Sequence, residues 1–245
     1  MGLNFLLEIY KIEKSYGNKK VLDGISFAVK RNETVSILGL GGTGKTTLLN
    51  IISGQEMPDK GNISLDGINI TGKVGFVGKM PQSAILTPNE TIENGLQAVA
   101  ELSMQSENFV DLNVKKELSL FDLSDTADLY PSQISKDIRQ RILLLRTYMM
   151  GKRVNLLDEP FSGLDVPTKT DIIKWFANLS RSRMSSTILV THNIDEALAL
   201  SNRMFLINGV PAQIINEFNI FNSADKSEIK KLVITEFKQT LRHLK

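Results

Sequence analysis

Runs of apolar residues along the chain predict a protein that mixes strands and helices. FLLEIYKI alternates apolar and polar positions, which is typical of a strand with one buried face, and VLDGISFAV and ETVSIL predict two more strands. A helix over KTTLLNIIS should follow and stop at Gly54, before two further short strands at NISLDGINI and KVGFVG. The first part of the chain is therefore predicted to be rich in strands.

The period changes to that of helices from about Thr91 to Met150, and we place a helical subdomain at residues 84–150, approximately. Three helices are predicted there, at TIENGLQAVAEL, VKKELSLF and IRQRILLLRTYMM. VNLLDEP and SSTILVTH then form apolar runs that close on polar residues, which is typical of buried parallel strands, and DIIKWFANLSR predicts the helix between them. A strand, helix, strand order predicts a parallel α/β core that carries a helical insert.

The end of the chain predicts an amphipathic helix over residues 226–244. Its apolar positions recur at helical spacing, which favours packing of one helix face on the core, and they are Ile229, Leu232, Val233, Phe237 and Leu241. We find no internal repeat and no linker rich in Pro or Ser. We therefore treat residues 1–245 as one domain.

Composition narrows the classes of function. The chain is 42% hydrophobic and 23% charged, and its net charge of +2 is too balanced for a dedicated nucleic-acid binder. It has no cysteine and two histidines, which excludes disulfides, thiolate zinc sites and a cysteine nucleophile. No run approaches the length of a membrane-spanning helix, and we expect neither a membrane span nor an export signal.

The sequence GLGGTGKT at residues 39–46 carries the clearest chemistry, because it matches the phosphate-loop pattern GxxxxGK[ST] between a predicted strand and a predicted helix. Glycines such as Gly39, Gly42 and Gly44 let backbone N–H groups point at a phosphate, and the helix N-terminus adds its positive dipole end. Lys45 would neutralise the β- and γ-phosphates, and the Thr46 hydroxyl would ligate Mg²⁺.

Two carboxylates follow the apolar strand VNLL. Asp158 and Glu159 are expected at the carboxyl edge of a parallel sheet, where α/β proteins bind ligands. Asp158 would hold Mg²⁺ through water, and Glu159 would polarise the attacking water as general base. An Asp-Glu pair alone is usually a solvated turn, but the phosphate loop upstream favours the functional interpretation.

Three single residues extend this nucleotide site. His192 follows the strand STILV and would hydrogen-bond the γ-phosphate, and Gln82 would ligate Mg²⁺ and sense the same phosphate. Tyr16 lies at a turn and would stack on an adenine ring. Each of the three also fits an ordinary structural role when taken alone. Their order along the chain is what makes them informative.

The series Tyr16, GLGGTGKTT, Gln82, ISKDIRQR, LLDEPFSGLD and VTH resembles, in order, the ATP-binding subunit of ABC transporters. Two longer segments, YPSQISKDIRQRILLLRTYM and THNIDEALALSNRMFLINGVPAQIINEFNI, are similar to segments of the nitrate, sulfonate and taurine importer ATPases. The resemblance covers residues 7–217, approximately, and weakly the tail.

This resemblance implies an α/β fold with a P-loop NTPase (RecA-like) core, an antiparallel β lobe and an inserted helical subdomain. By matching position, it makes Tyr16 the adenine-stacking aromatic, Gly39 to Thr47 the Walker A loop with Thr47 as a nucleotide contact, and Gln82 the Q-loop glutamine. It makes Asp158 the Walker B aspartate and Glu159 the catalytic carboxylate. Three further positions take roles in the same way, and they are Ser135 of the signature loop, Asp165 of the D-loop and the switch histidine His192.

The resemblance also implies cofactors and partners. ATP and Mg²⁺ would be held between the subunits of a head-to-tail dimer, and an integral-membrane permease would dock in a groove lined by residues such as 83–88. An extracytoplasmic solute-binding protein would be reached indirectly, through the permease. The subunit itself would be cytoplasmic, peripheral on the inner face of the cell membrane, and no nucleic acid is expected as a partner.

One departure from the family pattern stands in the signature loop. Where the family has LSGGQ or LSGGM, this chain has ISKDI at residues 134–138, so that Ser135 is kept while Lys136 and Asp137 replace both glycines. This predicts either slow hydrolysis by a homodimer or a heterodimer in which a second cassette supplies an intact signature.

Three alternatives remain. A soluble ABC protein that acts on DNA or ribosomes would need a coiled-coil insert, a second cassette or a basic stripe. A small-molecule kinase or GTPase would leave LLDEPFSGLD, ISKDIRQR and VTH unexplained. The third is a cassette that binds ATP but hydrolyses it poorly, as the degenerate partner of a heterodimer.

Overall fold

The structure is a computed structural model that describes residues 5–80, 82, 85–103, 113–221 and 226–243, with side chains up to residue 236 apart from that of Ser103. The chain divides into two compact units. The first unit contains Met1–Val77 and Ser186–Lys245, and the second contains Gly78–Ser185. The predicted helical region lies within the second unit.

The described chain begins with three strands and has three successive α-helices in its middle; strands and helices then alternate up to a final pair of strands and a C-terminal helix. The strands are β1 (Phe5–Tyr16), β2 (Lys19–Lys30), β3 (Thr34–Leu38), β4 (Lys60–Leu65), β5 (Ile68–Asn69), β6 (Gly78–Met80), β7 (Val154–Asp158), β8 (Ser186–Thr191), β9 (Arg203–Asn208) and β10 (Gln213–Asn219). The helices are α1 (Lys45–Ile52), α2 (Ile92–Ser103), α3 (Val114–Leu120), α4 (Lys136–Met149), α5 (Val166–Ser182), α6 (Ile194–Leu200) and α7 (Lys226–His243). Short 3₁₀ turns occupy Ser124–Thr126 and Pro131–Gln133.

The first unit contains an antiparallel sheet with the strand order β2-β1-β4-β5. A tight turn joins β1 to β2, because Tyr16 pairs with Lys19 and Gly17 takes a φ of 57°. Leu7 and Ile9 alternate on the buried face of β1 as predicted, and the buried Ile12 follows an irregularity in the pairing with β2 between Ile9 and Ile12. The antiparallel β lobe implied by the resemblance is therefore present.

A second group of strands in this unit is parallel. β3 pairs in parallel with β8 on one side and with β9 on the other, and β10 closes the edge antiparallel to β9. Every residue of β3 and of β8 is buried, including the hydroxyl residues Thr34, Ser36, Ser186, Thr187 and Thr191, so burial here is not confined to alternate positions. Both strands were predicted at the observed positions.

Helix α7 confirms the prediction of an amphipathic C-terminal helix. Ile229 and Val233 are buried in an apolar cluster with Leu38, Leu198 and Leu206. Leu232, on the same helix, is half-exposed, so the buried stripe is narrower than the apolar pattern suggests. The side chains of Phe237 and Leu241 lie outside the described residues.

The second unit contains the parallel pair β6 and β7 and the four helices α2 to α5. Phe176 of α5 packs edge-on against Phe161 and against Tyr148 of α4, which links these helices through aromatic contacts. The indole N–H of Trp175 donates to the Phe121 carbonyl at 3.0 Å. The helices predicted at these places are confirmed.

Two predictions of strands need correction. KVGFVG is a series of bends, and β6 begins only at Gly78, because Gly72 and Gly75 take φ values of 68° and 88° that a strand cannot contain. NISLDGINI is a hairpin of β4 and β5 rather than one strand, because Asp66 and Gly67 both have positive φ, of 49° and 76°, as a two-residue turn requires.

No helix in the part of the chain that the structure describes is long and apolar enough to cross a membrane.

Candidate functional site

The phosphate loop leads from β3 into α1, where the sequence predicts it. Gly42 and Gly44 take φ values of 79° and 81°, a conformation that L residues rarely adopt. A Cβ on Gly39 would lie 2.8 Å from the Ile207 carbonyl oxygen, and one on Gly44 would lie 2.8 Å from the Val21 side chain. All three glycines are therefore required by the backbone path of the loop, before any ligand is considered.

Lys45 is buried and points into the loop rather than into solvent. Its Nζ donates to the Gly39 carbonyl at 2.8 Å and to the Leu40 carbonyl at 2.7 Å. The Thr43 hydroxyl donates to the same Leu40 carbonyl at 2.8 Å, which closes the loop further. The ammonium group is thus held by carbonyl oxygens that a phosphate oxygen can replace, since an anion is the stronger partner.

The N-terminus of α1 is open to an anion. Gly44 is the N-cap and offers no side-chain hydrogen bond, and the first turn contains no acidic residue. The first N–H groups of a helix lack partners within the helix and carry its positive dipole end. The Thr46 side chain is exposed there, as a ligand of a phosphate-bound metal ion must be.

Tyr16 is the last residue of β1, and the structure brings it to the same helix. Its hydroxyl lies 3.4 Å from the Thr47 hydroxyl, and its ring is half-exposed. The Lys14 ammonium lies 5.5 Å from the ring centroid. Burial, and then Glu56, raises the pKa of the Tyr16 phenol, so that the ring is neutral at physiological pH. A neutral exposed ring fits the expected stacking on a base.

The register of two parallel strands places His192 beside the start of the phosphate loop. In the parallel pair β3 and β8, Leu38 lies opposite Thr191, so that Gly39 and His192 leave the sheet side by side. His192 is exposed at this edge. The first unit therefore brings together the expected residues Tyr16, the loop at 39–47 and His192.

In the second unit, the acidic pair follows β7. Asp158 is the last residue of the strand and is buried, whereas Glu159 is half-buried and takes a φ of 47°. This left-handed conformation costs about 1–3 kcal/mol for a residue with a side chain, and such strain is concentrated at functional sites. Gln140 of α4 donates to the carbonyl of Pro160, which holds the turn directly after Glu159.

Gln82 lies on the same side of this unit's parallel strands. β6 and β7 run in parallel with Met80 opposite Leu157, so that Asp158 at the end of β7 and Gln82 just after β6 lie at the same edge. The Gln82 side chain is exposed. This edge therefore carries the glutamine and both carboxylates that the sequence analysis selected.

Ser135 and Asp165 both cap helices. The Ser135 hydroxyl accepts the Ile138 N–H at 3.4 Å at the start of α4, and Asp165 accepts the Thr168 N–H at 3.3 Å at the start of α5. Hydrogen bonds from Thr168, its side chain first and its backbone second, lower the pKa of Asp165. Each residue thus has a structural role, to which a contact with nucleotide would be added.

The donor types fit Mg²⁺. Thr46 offers a hydroxyl, Gln82 an amide oxygen and Asp158 a carboxylate, and hard oxygen donors are what Mg²⁺ prefers. Among the described residues, no group of three or more His, Cys, Asp or Glu could hold a metal ion without a ligand's help. The expected Mg²⁺ ligands belong to different units, Thr46 to the first and Gln82 and Asp158 to the second.

Sequence reasoning missed a hydrogen-bonded group around His192. The Thr191 hydroxyl donates to the buried Glu196 carboxylate at 2.6 Å and accepts the Asn193 N–H at 3.0 Å. The signal that could have found it is the spacing N-x-x-E at residues 193–196, which is typical of a helix N-terminus. No comparable signal points to Gln140 beside Pro160, since that contact depends on two separate elements.

Comparison with known proteins decides the family. The sequence profile of the ABC transporter family matches residues 22–162. This chain belongs to the ABC transporter family. The match contains the phosphate loop and the acidic pair, whereas Tyr16, Asp165 and His192 lie outside it.

Curated relatives of this ABC protein are named as import ATP-binding proteins. The sulfate/thiosulfate import ATP-binding protein CysA of Bradyrhizobium diazoefficiens is 35% identical over 211 residues, which cover 82% of this chain and 61% of the relative. The formylaminopyrimidine import ATP-binding protein ThiZ of Halalkalibacterium halodurans is 33% identical, with 88% of this chain and 84% of that protein covered. The chain thus spans about three fifths of the CysA relative's length.

Solved structures agree on the fold. The ADP conformation of MJ1267, an ATP-binding cassette of an ABC transporter, superposes with a TM-score of 0.78 at 22% identity and covers 94% of each chain. A dimeric post-hydrolysis state of the cassette MJ0796 with ADP and Pi gives a TM-score of 0.71 at 22% identity, over 87% of this chain and 98% of that one. The expected ABC ATPase cassette fold is confirmed.

The loop geometry predicts different costs for two neighbouring glycines. Without nucleotide, Gly44→Ala should lower the free energy of unfolding by roughly 1–3 kcal/mol, because alanine meets both a positive φ and the Val21 side chain. Gly41→Ala is the matched control, since its Cβ would meet no atom within 4 Å and its φ lies outside the left-handed region. It should change stability by less than about 1 kcal/mol. Equal losses in urea denaturation would contradict this account of the loop.

Proposed function

We propose that this chain is the ATP-binding and hydrolysing subunit of an ABC importer. The observation that carries the proposal is the phosphate loop, in which Lys45 is buried and held by the loop's own carbonyl oxygens at an open helix N-terminus. Burial of a charge costs free energy, so the Lys45 ammonium needs strong acceptors. A triphosphate would offer it anionic oxygens in place of these neutral carbonyls, and an anion is the stronger acceptor.

Each residue of the first unit then has a task in binding ATP. The Tyr16 ring stacks on adenine, and the Thr47 hydroxyl beside it contacts the phosphates. Lys45 exchanges the Gly39 and Leu40 carbonyls for β- and γ-phosphate oxygens. His192, exposed beside the start of the loop, donates a hydrogen bond to the γ-phosphate.

The second unit supplies the hydrolytic residues. Glu159 orients the attacking water and accepts its proton as general base. Gln82 and Asp158 of this unit, the latter through water, and Thr46 of the first unit would offer oxygen ligands to Mg²⁺, which would supply positive charge for the phosphates. The strained backbone at Glu159 supports this assignment, because it sets the carboxylate apart from the buried Asp158 that precedes it.

Removal of the Glu159 charge tests the hydrolytic role. Glu159→Gln should preserve ATP affinity and lower phosphate release by about 100-fold or more, the scale expected for loss of a general base. ATP-bound dimers should accumulate, which size-exclusion chromatography detects. Glu228→Gln, on the exposed first turn of α7, is the matched control and should leave turnover unchanged. Undiminished turnover in Glu159→Gln would remove this residue from the mechanism.

We further propose import through a separate integral-membrane permease, with the chain cytoplasmic and peripheral on the inner face of the membrane. Support comes from the relatives, which are named for import of sulfate or thiosulfate and of formylaminopyrimidine. The segments at residues 130–149 and 191–220 favour a solute of the nitrate, sulfonate or taurine type. An extracytoplasmic binding protein would deliver this solute to the permease.

An apolar groove in the second unit suits a permease helix. It has a volume of about 150 Å³ and lies between α2, the segment before it and α4. Its floor is apolar, with Leu96, Val99 and Ile142, and Glu90 and Arg146 add one charge of each sign at its lining. Of the residues expected in the docking groove, Leu86 and Thr87 line this one, Ile85 and Pro88 do not, and Ser83 and Ala84 lie outside the described residues.

Single-cysteine crosslinking tests this docking site. The chain contains no cysteine, so Thr87→Cys gives it a unique thiol at the groove. In membranes, a short thiol crosslinker should join this variant to an integral-membrane protein, identified by mass spectrometry. Lys231→Cys, exposed on α7, is the control and should give no such product. Crosslinks from position 87 that reach only soluble proteins would contradict the transporter proposal.

A second candidate function is a poorly hydrolysing cassette that acts as the degenerate partner of a heterodimer. The observation that favours it is the contact of Ser135 with Asp137, in which the serine hydroxyl donates to the carboxylate. A hydroxyl has one proton to donate. If Asp137 takes it, Ser135 cannot donate to the γ-phosphate of a nucleotide held by a partner subunit.

The negative charge of Asp137 should also slow hydrolysis by a homodimer. Asp137 stands where the family has a glycine whose backbone approaches phosphate, and two unit charges of like sign about 4 Å apart repel by roughly 4 kcal/mol at an effective dielectric near 20. Lys136 is exposed, and its flexible ammonium does not replace a fixed backbone N–H. The altered loop should therefore slow a homodimer, or require a second cassette with an intact signature.

Restoration of the glycines distinguishes these outcomes. The double change Lys136→Gly and Asp137→Gly should raise homodimer ATPase activity about tenfold, which is 1.4 kcal/mol of transition-state stabilisation. Asp137→Asn, which removes the charge and keeps the size, should recover part of this gain if repulsion dominates. Brisk turnover by the unmodified homodimer, with no gain in either variant, would show that the loop tolerates Lys-Asp.

A further inference from the structure

The Thr191 hydroxyl forms a hydrogen bond that bridges the residues before and after His192. It belongs to the residue before the histidine, and it accepts the N–H of the residue after it, Asn193, at 3.0 Å. Thr191 itself is the last residue of β8 and is almost completely buried, at 1% exposure. The backbone around His192 is thereby closed into a small ring that starts from the sheet.

Glu196 orients this hydroxyl. Its carboxylate accepts the Thr191 proton at 2.6 Å and is 3% exposed. Since the hydroxyl proton points to Glu196, a lone pair of the oxygen is left for the Asn193 N–H. Burial of a carboxylate is costly, so a bond that sets the direction of one hydroxyl needs a reason beyond local packing.

Capping of α6 does not supply that reason. The Asn193 side chain already accepts the N–H groups of Asp195 and Glu196, at 2.9 Å and 3.3 Å. In an ordinary capping box, the glutamate at the fourth position would bond directly to the N–H of the cap residue. Here the Thr191 hydroxyl stands between Glu196 and that N–H, so the bond holds the peptide that follows His192.

We infer that Thr191 and Glu196 are positioning residues that hold the backbone of His192 in place for contact with the γ-phosphate. This inference rests on the proposed function, in which His192 touches the nucleotide. The strand register fixes Thr191 opposite Leu38, and the hydroxyl transmits that fixed position to Asn193. A further ion pair, from Lys230 of α7 to Asp195 at 2.5 Å, holds the first turn of α6 on its outer side.

The inference is tested by ATPase kinetics on the full chain. The chain is measured alone, or in complex with its permease and partner cassette. Thr191→Val keeps the size of the side chain and removes the hydroxyl. It should lower kcat about tenfold, because small misplacements of a catalytic group are costly, while KM for ATP stays within about twofold. Thr191→Ser restores the hydroxyl and should recover most of the activity. The kcat of Glu196→Gln should lie between those of Thr191→Val and Thr191→Ser.

A matched control separates positioning from stability. Thr147 is also buried, and its hydroxyl donates to the Leu143 carbonyl at 2.9 Å within α4. Thr147→Val should shift the thermal midpoint as Thr191→Val does, without the loss of kcat. In a double-mutant cycle, Thr191→Val should have no further effect on kcat once His192→Ala is present, because the hydroxyl acts through the histidine.

A second readout does not depend on hydrolysis. The chain has two histidines, so the ring resonance of His192 in a ¹³C-labelled sample can be assigned with His243→Ala. Mg²⁺ with a non-hydrolysable ATP analogue should shift that resonance in the natural chain and in Thr191→Ser. The shift should be reduced at least by half in Thr191→Val at saturating analogue.

The outcomes separate the inference from the proposed function. If the analogue does not bind the natural chain, the proposed function fails and the inference fails with it. If it binds, and His192 shifts equally in the natural chain and in Thr191→Val, the proposed function stands and the positioning role is wrong. An additive loss of kcat in the Thr191→Val, His192→Ala cycle would also overturn it.

Discussion

The parallel register of β3 and β8 is the constraint on which the first unit's site depends. Leu38 lies opposite Thr191, and all residues of both strands are buried, so that neither strand can slide without exposing apolar side chains. The loop after β3 and the histidine after β8 therefore leave the sheet at a fixed separation. A site that binds phosphate needs such fixed partners, since loops alone would have to be ordered at a cost in entropy.

The polar groups of the site make two kinds of hydrogen bond: some that a bound phosphate can replace, and some that remain when a ligand binds. Lys45 is held by two loop carbonyls, which a phosphate can replace without breaking the fold. The Thr191 and Glu196 pair, in contrast, lies below the surface and is fully enclosed. The Lys45 hydrogen bonds are at the position expected for the phosphates, and the bond between Thr191 and Glu196 is buried behind His192. Preorganised sites are built in this way, with buried hydrogen bonds that support the residues in contact with the ligand.

The signature segment shows how a local change alters what a residue can offer. Ser135 keeps the position and the helix cap expected from the family, yet its proton is directed to Asp137. A sequence match at one position thus does not secure its hydrogen bond, because a neighbour two residues on competes for it. In this chain Asp137 stands in place of a glycine, and its negative carboxylate attracts the Ser135 proton that a phosphate would otherwise accept.

The sequence by itself determined the order of most strands and helices, the phosphate loop and the acidic pair, since these depend on local periodicity and on spacing within short segments. It misplaced β6 and merged β4 with β5, because the glycines at 67, 72 and 75 act through backbone angles that the apolar pattern does not contain. Only the tertiary structure decided which residues surround His192, how Lys45 is held and that Glu159 is strained. Most of these contacts are between residues at most six positions apart, but the direction and burial of the side chains depend on the packing around them, which the apolar pattern does not contain.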